Sequence, residues 1–153
     1  MPEIISVNNF NPLTDRNYFD LHKIQIKKLI RSCIIRHKLH YSKFKQYMSI
    51  VENAFNQLNG QILWHLDNGS GIEGIAVTIP MMHDSKQIQI IKLFLMQAQT
   101  PELTVRECLN KLFFYGKECG YAKTITQTTN PKNAQALLGN EWKPSLTIFE
   151  RTT

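Results

Sequence analysis

The sequence predicts one small α/β domain built on a mixed, twisted sheet, and three observations carry that prediction. Apolar residues recur at helical spacing in two consecutive segments behind a short first strand. Three β-favouring runs then follow one another. Finally, the apolar run Gln87 to Met96 leads into a helix of about four turns and a further strand, a succession that calls for a right-handed parallel crossover.

Taken in order, Ile4-Ile5-Ser6-Val7 is β-branched and runs into Asn11-Pro12 turn chemistry, as an opening strand does. Leu21, Ile24, Leu29, Ile30, Cys33 and Ile34 outline a first helix. Phe44, Tyr47, Met48, Val51, Ala54, Phe55 and Leu58 outline a second, with Ser42 as its N-cap and Asn59-Gly60 as its stop. Gln61 to Leu66 and Ile72 to Ile79 flank Asp67-Asn68-Gly69-Ser70-Gly71, the strongest hairpin signal in the chain. Pro80 and a polar turn close that hairpin. In Gln87 to Met96 almost every residue from Ile90 onward is apolar, as in a central strand covered on both faces.

From Thr104 to Cys119, Val105, Cys108, Leu109, Leu112, Phe113 and Tyr115 describe a third helix, with Thr104 as N-cap and Gly120 as the residue that ends it. A strand over Ala122 to Thr128, a short helix over Lys132 to Leu138 and a last strand over Leu146 to Arg151 complete the order β-α-α-β-β-β-α-β-α-β.

With 153 residues, one hydrophobic core suffices without disulfide or metal staples. Contents of 42% hydrophobic, 10% aromatic and 20% charged residues are those of a globular chain. No basic head precedes an apolar run at the start, and no stretch approaches the ~18 apolar residues of a membrane span, so a soluble, cytoplasmic protein without membrane contact is expected. Cys33, Cys108 and Cys119 have no CxxC spacing, and Cys108 and Cys119 on one helix lie roughly 16 Å apart, too far for a disulfide; reduced, mostly buried thiols follow. No zinc spacing occurs either, and no metal site is expected.

The net charge of +6 is concentrated. Between Leu21 and Val51 lie Lys23, Lys27, Lys28, Arg31, Arg36, Lys38, Lys43 and Lys45, and no acid at all. Such a block attracts an acidic partner, phosphate or a nucleic-acid backbone, or else forms the solvated faces of two helices. Partner binding is assigned to Lys23, Lys27, Lys28, Arg31 and Lys38. A protein is the expected partner, and only salt-sensitive, sequence-independent nucleic-acid contact is in view, since no helix-turn-helix signature or aromatic stacking pair is present.

The element order resembles that of the GNAT acyltransferase superfamily over essentially the whole chain. A second likeness lies in NPKNAQALLGNEW, set against the family's Asn-x-x-Ala-x-x-x-Tyr-x-x-x-Gly-Phe: Asn130 stands on the Asn, Asn133 on the Ala, Leu137 on the Tyr, Glu141 on the Gly and Trp142 on the Phe. The resemblance implies a GNAT-like mixed twisted sheet whose fourth and fifth strands splay to admit the pantetheine arm of acyl-CoA along Phe94 to Ala98. It implies a pyrophosphate site at the following helix N-terminus, where free amides and glycines meet the phosphates. If acyl-CoA binds, Met96, Ala98, Thr104, Val105, Arg106 and Asn130 are the residues that hold it.

Against that pattern, Gln99-Thr100-Pro101-Glu102-Leu103-Thr104-Val105-Arg106 has no glycine, a proline without an amide donor and an added carboxylate. Leu137 cannot protonate a leaving thiolate, and Gln87 to Met96 carries no Asp or Glu to act as base. His65, Glu73 and His83 are the nearest substitutes in sequence, each also readable as a structural residue. The first expectation is therefore a catalytically degenerate GNAT-like module with a structural or interaction role and no cofactor. Its Leu in place of the Tyr resembles small GNAT-like proteins of tailed bacteriophages, including proteins packaged in the virion. The alternative is an active acetyl-CoA-dependent N-acyltransferase acting on a primary amine through positioning alone; a third reading is nonspecific nucleic-acid binding through the basic helices.

Overall fold

The structure, a computed structural model, describes residues 6–69 and 71–126. In chain order the elements are β1 (Ser6–Asn9), α1 (Arg16–Arg36), α2 (Lys43–Phe55), a 3-10 turn (Leu58–Gly60), β2 (Ile62–Asp67), β3 (Ile72–His83), β4 (Lys86–Met96), α3 (Glu102–Glu118) and β5 (Thr124–Thr126). The five strands form one sheet in the order β1-β2-β3-β4-β5. Pairing is antiparallel from β1 to β4 and parallel between β4 and β5, the mixed arrangement the α3 crossover demands. β5 pairs with β4 over Gln89 to Ile91, and β4 continues beyond that point to Met96. The splay expected between the two strands, past Thr126, and the helix and strand expected over Lys132–Leu138 and Leu146–Arg151 all lie outside the described residues.

Helices cover both faces of the sheet. On one face Phe10, Phe19, Ile26, Leu29, Ile30, Val51 and Phe55 pack with Leu63, Ile75, Val77, Leu93 and Leu95. Phe19 and Phe55 stack there at 4.1 Å, locking α1 to α2. On the other face Leu109 and Leu112 of α3 pack with Trp64, Ala76 and Ile91. A bulge in β4 makes this possible: Val77 faces Leu93 but Thr78 faces Ile91, so Lys92 is an extra residue. The inserted residue reverses the alternation, which puts Ile91 on the α3 face and Leu93 and Leu95 on the α1/α2 face. The nearly continuous apolar run has its cause in this two-sided cover.

Several boundaries differ from expectation. α1 begins at Arg16 and ends at Arg36, beyond the apolar stripe on both sides, while α2 stops at Phe55 with Leu58 already in the 3-10 turn. Ser42 precedes α2 but makes no capping bond; its hydroxyl meets His40 Nδ1 at 2.9 Å instead. β3 does not stop at Ile79. It runs to His83 and turns through Asp84 and Ser85, both with positive φ. Pro80 is tolerated because β2 pairs with β3 only as far as Thr78, leaving that edge without a ladder for a missing amide to interrupt. Gly120 ends α3 as expected: with φ 87° it lets Tyr121 N donate to Gly116 O and its own amide donate to Lys117 O. Cys33 and Cys108 are buried, and burial pushes the Cys108 thiol up to about 11. Cys119 is exposed. No helix among the described residues is long and apolar enough to cross a membrane.

Candidate functional site

The end of β4 and the loop behind it form the place where the resemblance would put acyl-CoA. Gln97 N donates to Glu73 O of β3 at 2.9 Å. In a trans peptide the carbonyl on the same plane points the opposite way, so Met96 C=O is directed away from β3, toward the edge on which an extended ligand would pair. That acceptor is taken. Arg36, in the last turn of α1, donates Nη2 to Met96 O at 3.1 Å. The Met96 side chain is buried with Leu66 and Cys108.

The loop itself is held from below by a carboxylate. β3 carries one extra residue, Glu73, where Leu66 faces Gly74 but Asp67 faces Ile72. Glu73 is 9% exposed; one carboxylate oxygen accepts from Asn68 Nδ2 at 2.7 Å and the other from the Thr100 hydroxyl. Thr100 N also donates to Gln97 O, closing a tight turn. α3 starts at Glu102, with Pro101 as its extended N-cap and no side-chain capping bond.

This start shifts the expected amide site. Thr104, the N-cap expected from the sequence, lies in the first turn, so the amides of Glu102, Leu103 and Thr104 are the ones left without helical partners. Val105 N is already engaged with Pro101 O at 3.1 Å, and the Arg106 amide lies deeper still in the helix. The half-buried Val105 side chain packs toward the α3 core. Asn130, together with Leu137, Trp142 and the His83 side chain, lies outside the described residues.

A groove of about 510 Å³ adjoins this end of β4, lined by Lys28, Arg31, Ser32, Ile35, Arg36 and Ala98. Here the structure brings together residues read separately from the sequence: Ala98 from the cofactor set, Lys28 and Arg31 from the partner set. Arg31 lies 4.9 Å over the Phe44 ring, which restrains its guanidinium. The remaining basic residues point to other tasks. Lys23 forms a 3.2 Å ion pair with Glu52 of α2, Lys27 is half-buried on α1 outside the groove, and Lys38 adopts φ 54° in the turn that ends α1.

His65, one substitute base, faces the α1/α2 core and not the β4 edge. Its ring lies 4.6 Å from Phe10 and 5.1 Å from Tyr18, and its buried Nδ1 has no hydrogen-bond partner among the described residues. Burial holds its pKa below the usual histidine range. The Tyr18 hydroxyl donates to Asp67 at 3.1 Å and is raised, first by burial and then by that carboxylate. Sequence reasoning missed the roles of Arg36 and of Glu73 as a loop anchor. Only the second had a signal: Glu73 is the sole charged residue between Asp67 and Asp84, inside an apolar run.

No protein-family model matches the sequence. No curated protein matches it either. Solved structures do. A GNAT family acetyltransferase from Staphylococcus aureus superposes with a TM-score of 0.68 at 12% identity, covering 97% of this chain and 98% of that one. An aminoglycoside acetyltransferase from an uncultured soil metagenomic sample, in complex with sisomicin, gives 0.66 at 10% identity over 97% and 96%. A predicted acetyltransferase from Clostridium acetobutylicum with acetyl-CoA gives 0.64 at 10% identity, again over 97% and 96%. The chain therefore has the fold of the GNAT acetyltransferases.

Proposed function

We propose that this chain is a GNAT-fold protein that has given up acyl transfer and acts as an interaction module. One observation carries the reading: Arg36 occupies the outward carbonyl of Met96, the acceptor on the edge where the resemblance implies a pantetheine arm. The neighbouring loop supports it. An acyl-CoA pyrophosphate needs close amides and positive potential, whereas this loop offers Pro101 without an amide proton, Glu102 in the first turn and the Glu73 carboxylate beneath Thr100. Among the described residues, this loop is a poor fit for the cofactor. Within β4 the charged side chains are Lys86 and Lys92 alone, so no carboxylate there can accept the proton of an attacking amine. Placement in a bacteriophage virion rests on the resemblance at Leu137 alone.

Titration calorimetry with acetyl-CoA tests the proposal. Binding weaker than roughly millimolar, less than about 4 kcal/mol, is the expected result. Saturable micromolar binding overturns it. The second reading, an acetyl-CoA-dependent N-acetyltransferase, draws support from the basic groove beside Ala98 and from the acetyl-CoA complex of the Clostridium neighbour. It requires that Arg36 release Met96 when the ligand arrives.

A further inference from the structure

The solvent face of α1 carries an uncovered stripe at a 3,4,3,4 spacing: Leu21, Ile24, Lys28, Arg31 and Ile35. This is the spacing of a helix-pairing seam, and over fourteen residues it spans roughly 21 Å. Its two ends are aliphatic and open, Leu21 being 73%, Ile24 65% and Ile35 77% exposed. Its middle is cationic. Neither Lys28 nor Arg31 has an ion pair among the described residues, and α1 holds no acid after Asp20. The lower half opens into the groove, where Arg36 adds a third cation fixed on Met96 O.

We infer that this stripe docks an acidic amphipathic helix of a partner protein, with aliphatic residues set against Leu21, Ile24 and Ile35 and carboxylates set against Lys28 and Arg31. The inference deepens the interaction-module reading and rests on it. Charge decides against a second copy of this chain, which would bring Lys28 against Lys28 and leave Arg31 without a counter-charge. The aliphatic ends decide against a nucleic-acid backbone, which would pair with the cations and leave three large side chains in water. Two of the cations enter the complex already ordered, Arg31 by the Phe44 ring and Arg36 by the Met96 carbonyl, so less side-chain entropy is lost on binding.

The test uses the full chain and fluorescence anisotropy with a labelled synthetic peptide of about 18 residues, long enough to hold a helix. The peptide places Leu opposite Leu21, Ile24 and Ile35, and Glu opposite Lys28 and Arg31. A copy with Gln for each Glu and a labelled DNA duplex serve as the other probes. Saturable binding of the Glu peptide is expected, weakened at least about tenfold in K28E/R31E and in L21S/I24S/I35S. K43E/K45E, altered outside the stripe, should change affinity less than about threefold. Circular dichroism confirms folding of each variant, and Ile35→Ser alone replaces the triple change if that one unfolds. Absence of saturable binding by the Glu peptide overturns the inference, as does equal binding of the Gln peptide. A duplex that binds more tightly than the peptide, and is insensitive to the aliphatic changes, overturns it in favour of nucleic acid. Acetyl-CoA calorimetry reads the parent proposal separately: peptide binding together with acetyl-CoA binding would sink only the non-catalytic reading, and neither binding would sink only the docking helix.

Discussion

The Thr100 hydroxyl donates to the Glu73 carboxylate, joining the loop after β4 to a bulge in the strand on the opposite side of β4 from β5. Because the same carboxylate accepts from Asn68, one buried acid fixes both the β2–β3 turn and the approach to α3. Glu73→Gln keeps the shape but makes these bonds neutral, and should cost about 1 to 2 kcal/mol. Glu73→Ala leaves two donors without their acceptor and should cost roughly 3 kcal/mol. Urea unfolding measures both, and equal stability of all three proteins would show that the carboxylate is not an anchor.

Arg36 makes a comparable tie from the other face. Its bond to Met96 O is charge-assisted and half-buried, so Arg36→Ala should destabilise by about 1 to 2 kcal/mol, more than is typical for a surface substitution. The change should also speed hydrogen exchange at Gln97, whose amide shares the Met96 peptide plane. A stability loss below roughly 0.5 kcal/mol would mean that the contact is incidental.

Gly116 sets how closely α3 approaches β4. A Cβ there would lie 2.8 Å from Gln89 Nε2 and 3.2 Å from Thr124 Oγ1. Gln89 is 1% exposed and cannot simply retreat, since Nε2 donates to Leu112 O at 3.0 Å and to Thr124 Oγ1 at 3.1 Å. Helix propensity favours Gly116→Ala by about 1 kcal/mol, but overpacking and two strained hydrogen bonds should outweigh it and leave a net loss of roughly 1 to 3 kcal/mol. A double-mutant cycle with Gln89→Ala should show the two changes costing less together than their sum. Additive losses would place the strain elsewhere.

Much of the fold could be read because its signals are local. The apolar spacing of α2, the Asp67-to-Gly71 hairpin and Gly120 at the end of α3 each depend on residues within a few positions of one another. Pro80 misleads because a proline inside a strand is admissible only when the neighbouring strand is shorter, and strand lengths are a property of the sheet. Thr104 misleads because Pro101, with φ −60° and ψ 145°, already supplies the extended residue from which a helix starts. At the candidate site the decisive pairs are remote: Arg36 meets a carbonyl 60 residues away and Glu73 a hydroxyl 27 residues away. No periodicity encodes such contacts. The basic block is the intermediate case, since its charge was plain but only the structure divides it into Lys23, spent on Glu52, and Lys28 with Arg31, left on the groove.

His65 makes the protein's stability depend on pH. Its pKa lies below 6.5 because burial penalises the charged ring; Asp67 and then Asp15 offset part of the shift, and His22 deepens it slightly. The unfolded chain therefore binds the proton more readily than the folded one between the lowered value and about 6.5. In that window stability rises with pH and falls as pH drops. The contribution is full above about 6.5 and is lost progressively toward the folded pKa. The neighbours explain why protonation is unwelcome: Phe10 and Tyr18 lie against the ring, the Tyr18 hydroxyl is committed to Asp67, and no acceptor waits for the buried Nδ1 among the described residues. His65→Phe keeps an aromatic ring packed against Phe10 and Tyr18 and removes the titration. Thermal unfolding at pH 5 and pH 7.5 should therefore show a smaller difference in Tm for His65→Phe than for the unaltered protein. His22→Gln, which removes the repelling ring, should bring the folded pKa of His65 closer to 6.5 and so make the loss of stability on acidification smaller. An identical pH dependence in His65→Phe and the unaltered protein would assign the acid sensitivity to other groups.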